Sequence, residues 1–420
     1  MKLVYKFLLH KNNTCLDALC QTSNNLYNQA NYLIKQELEK SHKWLRYHDL
    51  DKIMKITPNL ENEINYKKFK AQTSQQILRL LDKNWTSYFR SIKDYKVNPT
   101  KYRGQPKPPG FRKKGDRNLL IFTNQCSQIK NNKIILDKDL ILDIPETDID
   151  FNDFQQIRIL PRKNRYEIEI IYNKDCVNFN LDQNNYLTSD LGVDNLISCL
   201  SKNKAFILDG KPIKSINQFF NKMKAQYQSF KDKKGKKECY HKLANLSQYR
   251  YCFIRDQFHK MTRLMINYCI LNNIGTIVCG YNTRWKDSTD MGKVSNQNFT
   301  HVPHRLFLKI LKYKCDLVGI RLICHEESYT SKCDGLALEP VKKHARYLGK
   351  RVYRGLFQSS VGKTINADIN GALNTLRKVI GDGHVFIRDL IDSVVLFNPV
   401  KIRFTDIVGG QTLSNLLVRC

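Results

Sequence analysis

The sequence predicts a multidomain α+β fold: a β domain interrupted by a helical region, then an α/β layer. Three observations predict it. The chain of 420 residues exceeds one ordinary core and is sized for about two to four domains. Apolar residues keep a helical period from Cys15 to about Ser91, whereas Leu119 to Phe179 breaks into short runs divided by Asn, Asp and Pro. Beyond Tyr186, strand-like and helix-like segments alternate, which is the pattern of a sheet layered with helices.

Lys plus Arg number 70 against 39 Asp plus Glu, a net charge of +31. A surplus of that size points to a polyanionic partner. A membrane surface is the competing reading, but no apolar run approaches the roughly 20 residues of a spanning helix, and no signal-peptide pattern opens the chain. Nucleic acid is therefore the expected partner. The 13 cysteines fall without framework spacing, which suits free thiols in a reducing compartment, so a cytoplasmic, nucleoid-associated protein is expected. Tyr and Phe interleaved with the basic residues suit stacking on unpaired bases as well as core packing.

Met1 to Leu9 alternates as a strand, with a polar turn at Lys11 to Thr14. Leu16, Leu19, Leu26, Tyr27, Ala30, Leu33, Ile34 and Leu38, then Ile77, Leu78, Leu81, Trp85 and Phe89, predict several helices. Asp94 to Asp116 is basic, rich in Pro and Gly, and reads as an extended, exposed connection. Lys101, Arg103, Lys107, Arg112, Lys113 and Lys114 are placed there to neutralise phosphates, with Tyr102 to stack; a solvated linker is the alternative. Lys133 to Leu142, Gln156 to Leu160 and Tyr166 to Tyr172 read as strands of an antiparallel barrel or sandwich. If Met1 to Leu9 joins them, the helices are an insertion into that β domain.

Tyr186 to Asp209 reads as two strands turning at Ser201 to Lys204, with Asp190 at the point where the first strand meets Gly192. Ile216 to Asn272 is helical around a basic middle, and Thr276 to Cys279 is a short buried strand. Tyr281 to Thr300 has no period and reads as a polar loop. A helix follows over Pro303 to Val318 and a strand over Ile320 to Cys324, ending in His325, Glu326 and Glu327. In Thr364 to Lys378, Ile369, Ala372, Leu373 and Leu376 recur at helical spacing and place Asp368 in the first turn. The helix dipole alone accounts for an acid there. Asn366, Asn370, Gly371 and Asn374 are poor helix formers, useful near a metal or a phosphate.

Asp190, the Glu326/Glu327 pair and Asp368 thus stand at element ends. Carboxylates hold hard Mg²⁺, and two such ions roughly 3.5–4 Å apart clamp a phosphodiester. Each acid also has an ordinary explanation as cap, turn or surface charge. From the residues alone, a metal nuclease and a non-catalytic nucleic-acid binder both stand.

SDLGVDNL, HEESYTSK and INADINGALNTLRK resemble the three acidic motifs of the RuvC-like nuclease domain of TnpB proteins, transposon-encoded relatives of type V CRISPR effectors. FILDGKPIKSINQFFNK, VGIRLICHEESYTSK and KDYKVNPTKYRGQPKPPGFRKK extend the resemblance over approximately residues 1 to 380. It implies an RNA-guided DNA endonuclease with guide RNA and target DNA as partners and two Mg²⁺ ions held by Asp190, Glu327 and Asp368. It also implies a β-barrel wedge domain with an inserted helical recognition domain, plus an RNase H-like (RuvC) nuclease domain. In numbers, these are a wedge strand at 1–12, the recognition domain at 13–100 and the barrel at 101–182. The nuclease follows at 183–327 and 364–380, split by a target-strand insert at 328–363, and 381–420 is an extension, tail or packed, that the resemblance does not cover.

Two departures from the family shape the expectations. The middle glutamate usually follows the strand corresponding to Thr276–Cys279, where this chain has Gly280 and Tyr281. Glu327 of Glu-Ser-Tyr-Thr-Ser fits a relocated form, as in the Fanzor relatives, with Glu326 as the fallback because adjacent strand residues face opposite ways. If neither reaches the metals, the alternative is an RNA-guided DNA-binding protein or repressor without nuclease activity. The insert keeps only Cys333 of the paired cysteines that bind zinc in many TnpB proteins; Leu336 stands at its partner's place, and 354–360 supplies no second pair. His325 and His344 do not make up the set. A zinc-free insert is expected, held by Leu336, Leu338, Leu348 and Leu356.

Overall fold

KLVYKFLLH is rich in apolar and aromatic residues suited to a strand, and in a computed structural model of the chain this stretch is strand β1 (Lys2–His10). The structure describes residues 1–10, 13–137, 140–162, 165–234, 238–282, 292–403 and 406. It divides into two units, Met1–Lys174 and Asp175–Cys420.

In the first unit β1 is followed by α1 (Thr14–Ser41), α2 (Tyr47–Met54) and α3 (Ala71–Val97). Then come β2 (Leu120–Thr123), β3 (Gln128–Lys130), β4 (Lys133–Asp137), β5 (Leu140–Asp143), β6 (Phe154–Arg162) and β7 (Arg165–Asn173). Asn13 caps α1 by accepting from Leu16 N at 3.0 Å; the first residues of the turn expected before it, 11 and 12, lie outside the described ones. The strands form one sheet in the order β1-β7-β6-β2 and a second in the order β3-β4-β5. β1 pairs with β7 along its whole length, so the first strand does join a β layer that follows the helices. Lys133 to Leu142, expected as one strand, is two, β4 and β5, because the chain reverses between them and pairs Ile134 with Leu142. The β layer buries Phe7, Phe122, Ile159, Tyr166 and Ile170, while the helices pack around Leu26, Ile34, Leu50, Leu81 and Trp85.

The second unit contains β8 (Asp182–Leu191), β9 (Asn195–Leu200), β10 (Ala205–Asp209), α4 (Lys211–Lys234), α5 (Glu238–Leu271) and β11 (Ile274–Gly280). After these come α6 (Lys293–His301), α7 (His304–Val318), β12 (Arg321–His325), β13 (Lys350–Tyr353), β14 (Leu356–Gln358) and β15 (Thr364–Asn366). The last elements are α8 (Ala367–Ile380), α9 (Val385–Asp392) and β16 (Val400–Ile402). The basic middle expected between the two long helices falls partly on 235–237, outside the described residues.

Six strands form one sheet in the order β12-β11-β8-β9-β10-β16, and β13-β14-β15 form a small antiparallel one. β12, β11 and β8 are parallel; β9 runs antiparallel to β8 and β10. Successive strand residues face opposite sides. On one side Leu187, Ile277 and Cys279 pack with Phe258, Met261 and Phe307 of α5 and α7. On the other, Tyr186, Leu200 and Val278 pack with Ile369, Leu373 and Leu376 of α8 and Phe386 of α9. The architecture is mixed α/β, with Asp190 two residues beyond Thr188 on the α8 side.

Two expectations change here, and one left open is decided. Of the Tyr281–Thr300 loop, residues 283–291 lie outside the described ones, and Lys293–His301 is the helix α6. Residues 381–403 are no loose tail: α9 packs into the core beside α8, and β16 pairs in parallel with β10; 404–405 and 407–420 lie outside the described residues. Glu326 and Glu327 lie just beyond β12 rather than on it, so strand alternation does not decide between them.

Candidate active site

Asp190 is brought to α8 by a tight return of the chain. A Cβ on Gly192 would lie 2.3 Å from Asn195 O, so only glycine allows the turn that leads β8 into β9. The approach anticipated at Gly192 is thus one of backbone to backbone. Thr188 fixes the sheet to the helix by donating from Oγ1 to Ala372 O at 2.8 Å. Two residues on, Asp190 meets α8 at Gly371, where a Cβ would stand 3.2 Å from Asp190 Oδ2. Withdrawal from water, then the negative charges of Glu327 and Asp368, push the Asp190 carboxyl well above its ordinary value.

Asp368 opens α8 behind Asn366, whose side chain caps the helix by accepting from Asp368 N at 2.9 Å and Ile369 N at 3.3 Å. The carboxylate takes a hydrogen bond from Asn195 Nδ2 at 2.7 Å and an ion pair with Arg351 Nη2 at 3.4 Å. Neither partner was read from the sequence. Asn195 carried a signal, being in the turn that returns beside Asp190. Arg351 carried none, because its place depends on β13 and β14 folding back across α8.

The two glutamates separate clearly. Glu326 is exposed and pairs with Lys378 at 2.7 Å. Burial works to raise its carboxyl, but the Lys378 and Ser328 hydrogen bonds outweigh it and leave the group below its ordinary value. Glu327 turns inward, its backbone N–H donating to Asn282 Oδ1 at 2.9 Å. Its Oε2 is buried with no hydrogen-bond partner. Burial, reinforced by Glu326, pushes its carboxyl up to about 7. The space it enters is the one a side chain at position 280 would fill: a Cβ on Gly280 would lie 2.6 Å from Glu327 Oε2 and 3.2 Å from Thr375 Oγ1. The register pairs Gly280 with His325, which brings β11 beside the end of β12. Among the described residues, no three His, Cys, Asp or Glu side chains gather closely enough to hold a metal ion.

The remaining asparagines of α8 do not face the acids. Asn370 and Asn374 are fully buried and hydrogen-bond the backbone of residues 330–335. Beyond them, the expectation of a leucine-held insert fails. Leu336 is 6% exposed, but Leu338, Leu348 and Leu356 are 37%, 60% and 38% exposed. Buried carboxylates hold this segment instead. Asp334 accepts from Ser359 Oγ at 2.8 Å, Ser360 N at 2.7 Å and Ser360 Oγ at 3.0 Å. Glu339 accepts from Asp334 N at 2.7 Å and Leu348 N at 2.9 Å. Cys333 is buried beside the carbonyls of Pro340 and Lys342. His344 Nε2 hydrogen-bonds Pro340 O, and His325 Nδ1 hydrogen-bonds Glu326 O.

In the other unit, the basic segment is exposed but fastened. Asn24, Asn28 and Asn31 of α1 donate to the carbonyls of Lys113, Arg112 and Pro109 at 2.8, 2.9 and 3.1 Å. Arg103, Lys107, Lys113 and Lys114 present exposed side chains. Arg112, also exposed, lies over the Tyr27 ring at 4.9 Å. Lys101 is paired with Asp94 at 2.6 Å, and the Tyr102 hydroxyl donates to the same carboxylate at 2.6 Å. These two side chains are engaged within the fold.

Two family models match the chain: OrfB_IS605, described as a probable transposase, over residues 173–286, and the Cas12f1-like TNB domain over residues 304–375. None of the curated proteins matches. Among solved structures, a Cas12f1 chain from an sgRNA and target DNA complex is 12% identical with a TM-score of 0.50, over 86% of this chain and 82% of that one. The mini-RNA-guided endonuclease Cas_phi3 is 10% identical with a TM-score of 0.43, over 95% and 94%. The first match carries the fold. With the two family models, it supports the chain as a TnpB-like protein.

Proposed function

We propose that this chain is an RNA-guided DNA endonuclease of TnpB type that cuts target DNA with Mg²⁺ at Asp190, Glu327 and Asp368. The observation that carries the reading is Glu327: a carboxylate oxygen buried without a partner, beside a glycine that leaves it room and within electrostatic reach of Asp190. Uncompensated buried carboxylates of this kind fit a hard divalent cation in donor chemistry. A pair of such ions supplies an activated water and stabilises the leaving oxygen of the phosphodiester. The chain's own contribution is placement. Asn195 orients Asp368, Gly371 admits Asp190 to the helix, and Gly280 admits Glu327.

The organisation proposed with this function is that of a wedge β-barrel with an inserted recognition domain and an RNase H-like nuclease domain, divided at the boundaries given above. Guide RNA and target DNA are the proposed partners; the Cas12f1 chain of similar fold was solved in complex with an sgRNA and target DNA. Arg103, Lys107, Arg112, Lys113 and Lys114 are proposed to contact phosphates, with Lys101 and Tyr102 shaping the segment that displays them.

RNA-guided binding without cutting is the second reading. It is favoured by Asp368 being engaged with Arg351 and by the three acids not being gathered. One experiment separates the two: RNA that co-purifies with the chain is sequenced, and DNA matched to it is incubated with the complex and Mg²⁺. Cleavage lost in Asp190→Ala, Glu327→Gln and Asp368→Ala, with DNA binding retained, supports the nuclease. Binding without cleavage by the wild-type complex supports the second reading, and cleavage that survives all three changes removes the site.

A further inference from the structure

The helix that carries Asp368 also holds the segment that carries Glu327, through a different face. Asn370, Asn374 and Arg377 lie one turn apart on α8, all buried. Asn374 Nδ2 donates to Thr330 O at 2.8 Å and Cys333 O at 2.7 Å. Asn370 donates to Cys333 O at 2.9 Å and accepts from Gly335 N at 2.9 Å. Arg377 donates to Asn374 Oδ1 at 2.6 Å and Glu339 O at 3.0 Å, so the Asn374 amide is satisfied on both sides and cannot flip without loss. Gly335 is needed for the approach: a Cβ there would stand 2.8 Å from Asn370 Oδ1 and 3.1 Å from Asn374 Oδ1.

The chain of contacts ends on Glu327. Thr330 donates to the Glu327 carbonyl from its N–H at 3.2 Å and from its hydroxyl at 2.8 Å. Only one residue, Thr330, therefore stands between the Asn374 amide and the Glu327 backbone. We propose that Asn374 is a positioning residue for Glu327, setting the distance of that carboxylate from Asp190 and Asp368 through Thr330. Asn370, Arg377 and Gly335 hold Asn374 in register. The inference rests on Glu327 being the middle carboxylate of the nuclease reading.

Asn374→Asp keeps an acceptor for Arg377 but replaces the amide donor with a carboxylate oxygen that repels the Thr330 and Cys333 carbonyls; Gly335→Ala disturbs the same contact from the opposite side. Hydrogen exchange is measured on both proteins. Amides 327–335 are expected to lose protection while those of β8 and β11 keep theirs. Unchanged protection in both variants overturns the anchoring, as does loosening that spreads equally to β8 and β11 in both.

The second arm is cleavage of DNA matched to the co-purified RNA, with Mg²⁺. A misplaced carboxylate is expected to lower kcat roughly 10- to 100-fold with KM for target DNA unchanged. Thr330→Val is expected to behave in the same way and Thr330→Ser to restore the rate. A loss confined to KM, or Val and Ser variants of equal rate, overturns the positioning role. A wild-type chain that does not cleave removes the nuclease reading, and hydrogen exchange then decides the anchoring by itself.

Discussion

Gly280 and Glu327 form one unit at the residue scale, since the absence of a side chain at one position is what lets the other enter. A methyl group on Gly280 would meet the mobile far end of the Glu327 side chain most closely, at 2.6 Å from Oε2, with the Glu327 Cβ and Thr375 Oγ1 each at 3.2 Å and no backbone atom among its nearest neighbours. Gly280→Ala is therefore expected to displace the carboxylate more than to unfold the protein. Cleavage of matched DNA should fall at least about 10-fold, an effect of misplacement. The melting temperature should fall by no more than a few degrees, corresponding to about 1 kcal/mol. A variant that cleaves at the wild-type rate would show that the contact does not matter. The places of Asp190 and Asp368 were legible in the sequence because a strand end beside glycine and the first turn of an amphipathic helix each fix an address locally. The choice of Glu327 over Glu326 had to rest on resemblance. It depends on Lys378, 52 residues away, drawing Glu326 outward, and on Gly280 leaving space.

The same device appears twice at the scale of elements. α1 and α8 each present amides, at Asn24, Asn28 and Asn31 or at Asn370 and Asn374, that hold the backbone of an irregular segment. In sequence such residues read as weak helix formers or as ligands, because the loop they satisfy is far along the chain. The core faces were legible from period alone; these polar faces were not. Asn28 both donates to and accepts from the backbone of Arg112, at 2.9 Å each way. Asn28→Ala should cost about 1–2 kcal/mol of local stability. Proteolysis is expected to quicken within 103–114, and an unchanged cutting rate there would count against the tether.

A second element-scale case is Lys314 on α7. Burial, followed by the charge of Arg263, lowers its ammonium to about 7, and its Nζ donates to His259 O and to Thr262 Oγ1 at 2.9 Å. The folded value lies below the unfolded one, so between about pH 7 and 10 the unfolded chain binds more protons, and this group's contribution to stability rises with pH. Lys314→Met should accordingly stabilise the protein more at pH 6 than at pH 9, by roughly 1–2 kcal/mol at the lower pH. Melting temperatures at the two values check it, and a larger gain at pH 9 would reverse the sign.

For the molecule as a whole, the charge of +31 matters through where it is free to act. A cation already neutralised within the fold releases few additional counterions when nucleic acid binds, whereas an exposed one that meets a phosphate contributes about 0.7 to the salt slope on a single strand and 0.9 on duplex DNA. Arg103, Lys107 and Arg112 are exposed, on a segment whose backbone α1 fastens at Pro109, Arg112 and Lys113. Lys101 has its charge matched by Asp94, whose carboxyl is lowered to about 2 by the hydrogen bonds from Lys101, Tyr102 and Asn98. Replacing Arg103, Lys107 and Arg112 together with Gln should therefore reduce the logarithmic salt slope of RNA binding by about 2 to 3. Lys101→Gln alone should leave the slope nearly unchanged, because its charge is already matched by Asp94 and is not free to meet a phosphate. The measurement is binding of the co-purifying RNA across a salt series. A slope that follows Lys101 and ignores the three arginine and lysine positions would place the phosphate contacts elsewhere on the surface.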